Sequence, residues 1–475
     1  MSYLSLSFVL FVAVDLLIYY LVPKHMRSWV LLLSSLVFYG SNNIFYLIYL
    51  LFITAVSFMC ARGIAKGGKK RVLLWLSISV SVILWLITRG TLGMINNWIF
   101  PLFDIVPLGI SYYMFQSIAY VVDVYRQNVK PENNFFKYLL FLSYFPAIVQ
   151  GPISRYDQLA PQLNNGKKFD FDKFKNSLIL VLFGLAKKMV IADNLTIIVD
   201  KFFENFDEYQ GFILYIAAVC YAFQLYMDFS GCVDICRGVS GLFGIELIDN
   251  FASPYFAKSN KEFWNRWHIT LSSFLKDYVY IPLGGNRKGK FRKYINLLIT
   301  FAVSGIWHGY GLSFIIWGLL QALYQIIGET TLTLRSKVKS FLCVEENSFS
   351  DKFYRTFITF NLTTFAWIFF RSEDLMSALE YIGNMLVPTG ILALFSEDLY
   401  DAGLNAAGFT VVIVNIIVML YVDYLKKKNI NIIDRINKLH IILRWSVYLL
   451  LIFNVILFGA YGSGYDPSGF LYGGY

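Results

Sequence analysis

Apolar runs long enough to cross a bilayer recur through nearly the whole chain, and that recurrence settles the fold class before any motif is read. A helix rises 1.5 Å per residue, so a hydrocarbon layer of about 30 Å takes roughly 20 residues. Stretches that meet this, alone or as short pairs, run at about 4–22, 28–41, 44–61, 72–88, 104–125, 176–194, 210–229, 294–310, 311–328, 352–371, 407–425 and 441–462. They predict about twelve crossings. The 475 residues are 57% hydrophobic and only 15% charged, with mean hydropathy +0.56, where a soluble domain is roughly a quarter charged. A water-soluble globule is excluded, and an all-α polytopic membrane protein is expected. Segment 4–22 lacks the basic leader and small-residue cleavage site of a secretory signal and reads as the first span.

The net charge of +10 has no basic soluble module behind it, so nucleic acid is not an expected partner; in a membrane protein the placement of charge carries more information. Segment 62–71 holds Arg62, Lys66, Lys69, Lys70 and Arg71 with no acid, and 426–444 holds six cations against Asp434 alone. Both belong on the cytoplasmic side. Segments 195–209 and 371–401 are acidic, the latter with six acids against Arg371, and fit the outer face. Alternation from a cytoplasmic Lys24/Arg27 loop satisfies all four and puts both termini outside. Segments 136–153 and 240–285 break the alternation and read as re-entrant or interfacial, tolerable when packed within protein. Pro107, Gly109, Pro146, Gly151, Pro152, Gly231, Pro254, Pro282, Gly284 and Gly285 punctuate these pieces. No repeat or linker divides the chain, so one domain over 1–475 is expected, with an outer aromatic tail at 462–475. Five cysteines without a CxxC pair give neither a disulfide framework nor a metal site, and Cys232 and Cys236 read as core.

Of four histidines, His25 and His440 flank basic clusters at span ends and read as solvated. His308, in Ser304-Gly305-Ile306-Trp307-His308-Gly309, and His268, in Trp264-Asn265-Arg266-Trp267-His268, lie in apolar surroundings where an ionisable group is costly and marks a candidate site. A core imidazole bonded to a carbonyl is the competing reading; for His308 the adjacent glycines, which let another backbone or a ligand approach closely, favour function. Downstream, Arg287, Lys288, Lys290, Arg292 and Lys293 follow a Pro/Gly turn. An ordinary positive-inside loop accounts for this charge alone, and binding of a phosphorylated acyl carrier is the functional alternative. From 251 to 293 there are nine basic and two acidic residues, Arg266 and Lys276 included. Finally, Gln224, Asp228, Ser230 and Asp234 end a span, where the two carboxylates need partners, with Arg237 and Arg266 available. No G-x-S-x-G, H-E-x-x-H, Walker or Rossmann pattern occurs.

Strung in order, Gln224…Met227-Asp228-Phe229-Ser230-Gly231, Asn250-Phe251…Pro254, Glu262-Phe263-Trp264-Asn265-Arg266-Trp267-His268, Tyr280…Gly284-Gly285-Asn286-Arg287 and Trp307-His308-Gly309 resemble the membrane-bound O-acyltransferase (MBOAT) superfamily. The resemblance is to the bacterial branch that includes the membrane subunit of alginate O-acetylation and the D-alanyl transferase of teichoic acids. It implies a ring of about 11–12 transmembrane helices with re-entrant segments around a thin core, and funnels meeting at the catalytic His308. It further implies His268 as the second motif histidine, which with Arg266 holds or polarises the donor end, and Trp307, with Trp267, shaping the tunnel. Asn265 departs from the W-R-R-W-H run of the family, which removes a cation there. The tail Tyr465…Gly469-Phe470-Leu471-Tyr472-Gly473-Gly474-Tyr475 is similar to aromatic-Tyr tails of that branch, so Tyr472 is expected to carry the acyl group, against the alternative of an interfacial anchor.

The implied activity is transfer of an acyl group, acetyl by expectation, from a cytoplasmic acyl-CoA or acyl-phosphopantetheine thioester to an extracytoplasmic cell-surface polysaccharide through a partner transferase. A neutral imidazole suits removal of a hydroxyl proton. D-alanyl transfer from a carrier protein, an exporter without acyl chemistry and a scaffold remain as alternatives.

Overall fold

A computed structural model describes residues 1–88, 107–309, 311–390, 403–461 and Gly469. Among these residues there is no strand, and helices make up the regular structure, since a helix satisfies each backbone N–H and C=O within its own segment where no water can. Six helices combine the length and hydropathy of a crossing: Tyr46–Ala65, Lys70–Thr88, Phe212–Leu242, Leu312–Thr330, Ala406–Lys427 and Ile441–Phe458. Leu6–Leu21 is a shorter apolar helix. Others of the expected crossings fall on helices that are shorter, such as Arg27–Asn42, or that begin with charge, such as Gly289–His308. The chain is a multi-pass, all-α membrane protein.

Its described residues form two compact units. The first takes Met1–Leu185 and Cys232–Asp249. It contains α1 (Leu6–Leu21), α2 (Arg27–Asn42), α3 (Tyr46–Ala65), α4 (Lys70–Thr88), α5 (Ile110–Tyr125), α6 (Phe135–Ser143), α7 (Tyr156–Asn164) and α8 (Phe171–Leu185). Ser5 caps α1 by accepting from Phe8 N, and Ser34 of α2 donates to the buried Asp15 of α1 at 2.5 Å. Gly109, at φ +71°, starts α5 against the 144–149 segment; a Cβ there would sit 2.0 Å from Ile148 O. The stretch after α6 is irregular but enclosed: Tyr144, Phe145, Ala147 and Ile148 are buried. The backbone of Phe145 is bonded on both sides, its N–H donating to Ser35 Oγ and its carbonyl accepting from Tyr3 Oη. Segment 136–153 thus meets the condition under which non-helical backbone is tolerated away from water.

The second unit takes Ala186–Gly231 and residues 250–461. A π-helical turn, Ala186–Ala192, continues into α9 (Asp193–Glu204), and α10 (Phe212–Leu242) carries the second boundary inside it. After α10 come α11 (Asn260–Trp264), α12 (Ile269–Leu275), a π turn at Lys276–Tyr280, α13 (Gly289–His308), α14 (Leu312–Thr330), α15 (Leu332–Phe341), α16 (Phe349–Arg371), α17 (Leu375–Met385), α18 (Ala406–Lys427), α19 (Ile432–Asn437) and α20 (Ile441–Phe458).

Helix α10 corrects the sequence expectation, which ends the span at 229 where carboxylates and Gly231 follow. It runs on to Leu242 because the carboxylates are compensated. Lys188 Nζ lies 2.6 Å from both Asp228 Oδ1 and Asp193 Oδ1, while Arg237 Nη1 is 3.6 Å from Asp234 and 3.3 Å from Asp249. Of the two expected partners, Arg237 takes Asp234, whereas Arg266 pairs with Glu262 at 2.9 Å.

Helices of the second unit are joined in two different ways. Helices α13 and α14 form a hairpin in which backbones nearly touch: a Cβ on Gly305 would meet Phe314 O at 2.4 Å, and one on Gly318 would meet Phe301 O at 2.3 Å. Small residues permit that approach between helices in a bilayer. By contrast, α20 buries only Val455. It is held by a reciprocal amide pair, Asn415 with Asn454 at 3.2 and 2.9 Å, and by bonds from Asn194 Nδ2 to Phe458 O and from Ala460 N to Met189 O.

Candidate active site

The glycine hairpin fixes where His308 stands. It is the last residue of α13, followed by Gly309 in an extended conformation, and its side chain is 1% exposed. Three aromatic rings surround the imidazole at T-shaped angles: Trp307 at 4.5 Å, Trp317 of α14 at 5.0 Å and Phe370 of α16 at 5.2 Å between centroids. Trp317 is itself stacked on Trp367 at 5.5 Å. Gly305 and Gly309 do what their positions suggest, since a Cβ on Gly309 would strike the Phe314 ring at 2.3 Å.

His268 reaches the same indole from another element. It is the N-cap of α12 and is also 1% exposed, with its ring edge-on to Phe229 at 4.8 Å and 6.3 Å from Trp307. Its backbone is left-handed, at φ 42° and ψ 56°, which a non-glycine residue adopts at a cost of order 1 kcal/mol. The surrounding loops hold that shape. Asn250 Oδ1 accepts from both N and Oγ1 of Thr270, Asn250 O accepts from Ile269 N, and Arg266 O accepts from Ala252 N. Burial pushes the His268 imidazole down to about 3, so the ring is neutral at pH 7.

A cavity of about 1850 Å³ lies in the same unit, and His268, Trp307 and His308 are not among the residues that line it. Eight of its lining residues are Lys or Arg and three are Asp or Glu. The acids are largely committed: Glu329 pairs with Lys293, and Asp351 with Lys339 at 2.6 Å and Arg355 at 3.6 Å. Field from an uncompensated cluster of this kind gathers anions. Along α13 the lining residues are Lys293, Leu297, Thr300, Phe301 and Ser304. They share one helix face by their three- and four-residue spacing, and the next turn on that face carries His308. Ser304 is 1% exposed, and its Oγ makes no hydrogen bond with the described residues.

The residues singled out in the sequence separate into groups. His308, His268 and Trp307 come together. Trp267 is buried between Phe251 and Trp367, at 5.1 and 5.2 Å, as part of the support. Asn265 and Arg287 line the cavity. Lys288 and Lys290 are exposed and outside its lining, and Arg266 is drawn to Glu262 and Ala252 O. Gln224 donates to Thr196 Oγ1 at 2.7 Å, Ser230 is buried, and Asp228 belongs to the Lys188 ion pair. Tyr472 and nearly all of the 462–475 tail lie outside the described residues. Sequence reasoning missed Lys188, Trp317, Gln321 and the cations Arg335, Lys339 and Arg355. Spacing within α15 and α16 does not mark Arg335, Lys339 or Arg355, and no sequence pattern marks Lys188 or Trp317, though Gln321 in the middle of an apolar span is a detectable signal.

Comparison with known proteins shows the family. The model of the membrane-bound O-acyltransferase family matches residues 130–370. A probable alginate O-acetylase of Pseudomonas fluorescens is 34% identical over 381 residues, covering 79% of this chain and 73% of the relative. A peptidoglycan O-acetyltransferase of Helicobacter pylori is 34% identical over 405 residues, covering 78% and 75%. A teichoic acid D-alanyltransferase of Bacillus subtilis is 30% identical over 227 residues, covering 46% and 57%. With the matched segment ending at Phe370 and containing both buried histidines and their indole, the chain belongs to the membrane-bound O-acyltransferase family and is an O-acyltransferase.

Proposed function

We propose that this enzyme moves an acetyl group from a thioester on the cytoplasmic side of the cytoplasmic membrane to a hydroxyl on the outer side, for O-acetylation of a cell-surface polysaccharide. The observation that carries the reading is the cation-rich cavity ending at Ser304, one helical turn from His308. The excess positive charge suits the phosphates of acyl-CoA or of an acyl-phosphopantetheine arm, and it supports a cytoplasmic position for that side.

In the proposed chemistry His308 takes the proton of the acceptor hydroxyl as its oxygen bonds to the acyl carbon. The C–S bond then breaks, and the thiolate receives the proton from the imidazolium, so ester and thiol are the products. The Ser304 hydroxyl is available to the acyl oxygen, where negative charge develops. Neutral His268 packs on Trp307, which packs on His308, outside the cavity lining. Both termini lie outside, and Tyr472 takes the acyl group on its phenol oxygen before a partner transferase delivers it to the glycan. Acetyl rather than D-alanyl is favoured by the fuller coverage of the O-acetylating relatives.

The test is His308→Ala in proteoliposomes loaded with radiolabelled acetyl-thioester, followed by mass analysis of the C-terminal peptide. Loss of transfer with unchanged melting supports the reading. Retained transfer sinks it, and absence of an adduct on Tyr472 in the turning-over wild type removes that residue as carrier.

A further inference from the structure

Toward His308 the cavity meets a set of packed aromatic rings, and one of them, Trp264, is also pinned by a hydrogen bond. Trp264, at the end of α11, lines the cavity and is 7% exposed. Its ring meets Phe301 at 5.2 Å and Trp317 at 5.9 Å, and Trp317 in turn meets His308 at 5.0 Å. The cavity therefore ends on Trp264, Phe301 and Ser304, with Trp317 behind them. Trp317 has little freedom, being stacked on Trp367 and edge-on to Phe370 at 5.1 Å.

What fixes Trp264 is Gln321. This amide is fully buried in α14, one turn beyond Trp317, and its Oε1 accepts from Trp264 Nε1 at 3.1 Å and from Asn260 Nδ2 at 2.7 Å. A buried glutamine in an apolar helix is costly unless its position is used. Here one oxygen sets both the first and the last residue of α11.

We propose that Trp264, held by Gln321, is the specificity-determining wall that limits the transferred acyl group to two or three carbons. This deepens the function proposed above and rests on the cavity receiving the thioester. A short acyl group fits beside Ser304 with its carbonyl toward His308. Each further methylene must displace a ring that is bonded at one edge and packed on both neighbours. Binding alone discriminates by about tenfold or more per methylene in a pocket of this kind.

The experiment compares kcat/KM for acetyl-, propionyl-, butyryl- and hexanoyl-CoA, or for the same groups on phosphopantetheine. The wild type, Trp264→Leu and Gln321→Met are each measured as full-length protein in nanodiscs, with melting temperature followed in parallel. Wild type is expected to lose at least about tenfold per added methylene beyond propionyl. Trp264→Leu is expected to raise the butyryl-to-acetyl ratio by about tenfold or more, and Gln321→Met, which frees the indole without removing it, by a smaller factor in the same direction. Should Trp264→Leu fail to fold, the Gln321→Met ratio decides. A ratio unmoved in a folded variant that still transfers acetyl overturns the gate and leaves the acyl-transfer reading standing. A wild type that uses butyryl as well as acetyl overturns the gate too. A folded wild type that transfers no acyl group from any thioester overturns both.

Discussion

Lys188 donates to Asp228 across 2.6 Å in a setting where the lysine is 3% and the aspartate 1% exposed by side chain, and it reaches Asp193 at the same distance. Coulomb attraction from the two carboxylates outweighs desolvation of the ammonium only while all three stay together. Lys188→Met removes the cation from between two acids and is predicted to cost about 3–5 kcal/mol, read as a lowered unfolding midpoint in detergent. Lys188→Met together with Asp228→Asn should recover part of the loss. A Lys188→Met protein as stable as wild type refutes the assignment.

The His268 ring gives a signed dependence on pH. Its folded value of about 3 lies below the ordinary 6.5, so the unfolded chain binds a proton that the folded chain refuses. Its contribution is complete above pH 6.5 and is lost as pH falls from 6.5 toward 3, with a limiting slope near 1.4 kcal/mol per unit. His268→Asn keeps a residue that tolerates left-handed backbone and should flatten that part of the stability profile. Parallel profiles for the two proteins in this window contradict the prediction.

Backbone contact in the α13–α14 hairpin makes a paired prediction. Gly318→Val places a Cβ where Phe301 O lies 2.3 Å away and should destabilise by about 1–3 kcal/mol while displacing His308 and cutting turnover. Gly328, on the same helix, has nothing within 4 Å of its Cβ position. Gly328→Ala should be neutral or stabilising by up to about 1 kcal/mol. Equal effects at both positions would show that helix propensity, not contact, decides.

Ser304→Ala tests the hydroxyl at the cavity end. Removing one donor to a developing oxyanion costs about 10²–10³ in kcat, whereas a hydroxyl with no hydrogen-bond partner among the described residues contributes little to stability. The expected result is a large kcat loss with an unmoved melting temperature.

Charge at the cavity is checked by Lys276→Glu with Arg287→Glu. Both positions line it. The double variant should raise KM for an anionic donor, with the effect shrinking as salt rises and kcat nearly constant. A KM that ignores ionic strength would mean these cations serve topology alone.

Much of this was legible in the sequence because membranes impose few choices. The apolar runs give helices, and rare polar residues within or beside them, His268, His308, Gln224 and Asp228, stand out against that background. Glycine flanking Trp307-His308 signals a close backbone, and Gly305 and Gly309 meet the next helix. Partnerships across sequence distance were not legible. Lys188 lies forty positions before Asp228 with no period linking them, and α10 passes its glycine because the acid ahead of it is neutralised by that lysine. Arg335, Lys339 and Arg355 join the cavity only once α15 and α16 have packed, which one-dimensional charge counting does not register.

Polar clasps rather than apolar interlocking hold the last helix, and this sets an order of events for the protein outside its native bilayer. Detergent competes weakly with side-chain amides but replaces lipid around an exposed face at no cost. The Asn415–Asn454 pair and the bonds at Phe458 and Ala460 are therefore the fastenings whose release lets Ile441–Phe458 peel away first. A purification that preserves them retains a whole enzyme, and one that does not yields a protein missing its final strut while the hairpin around His308 stays folded.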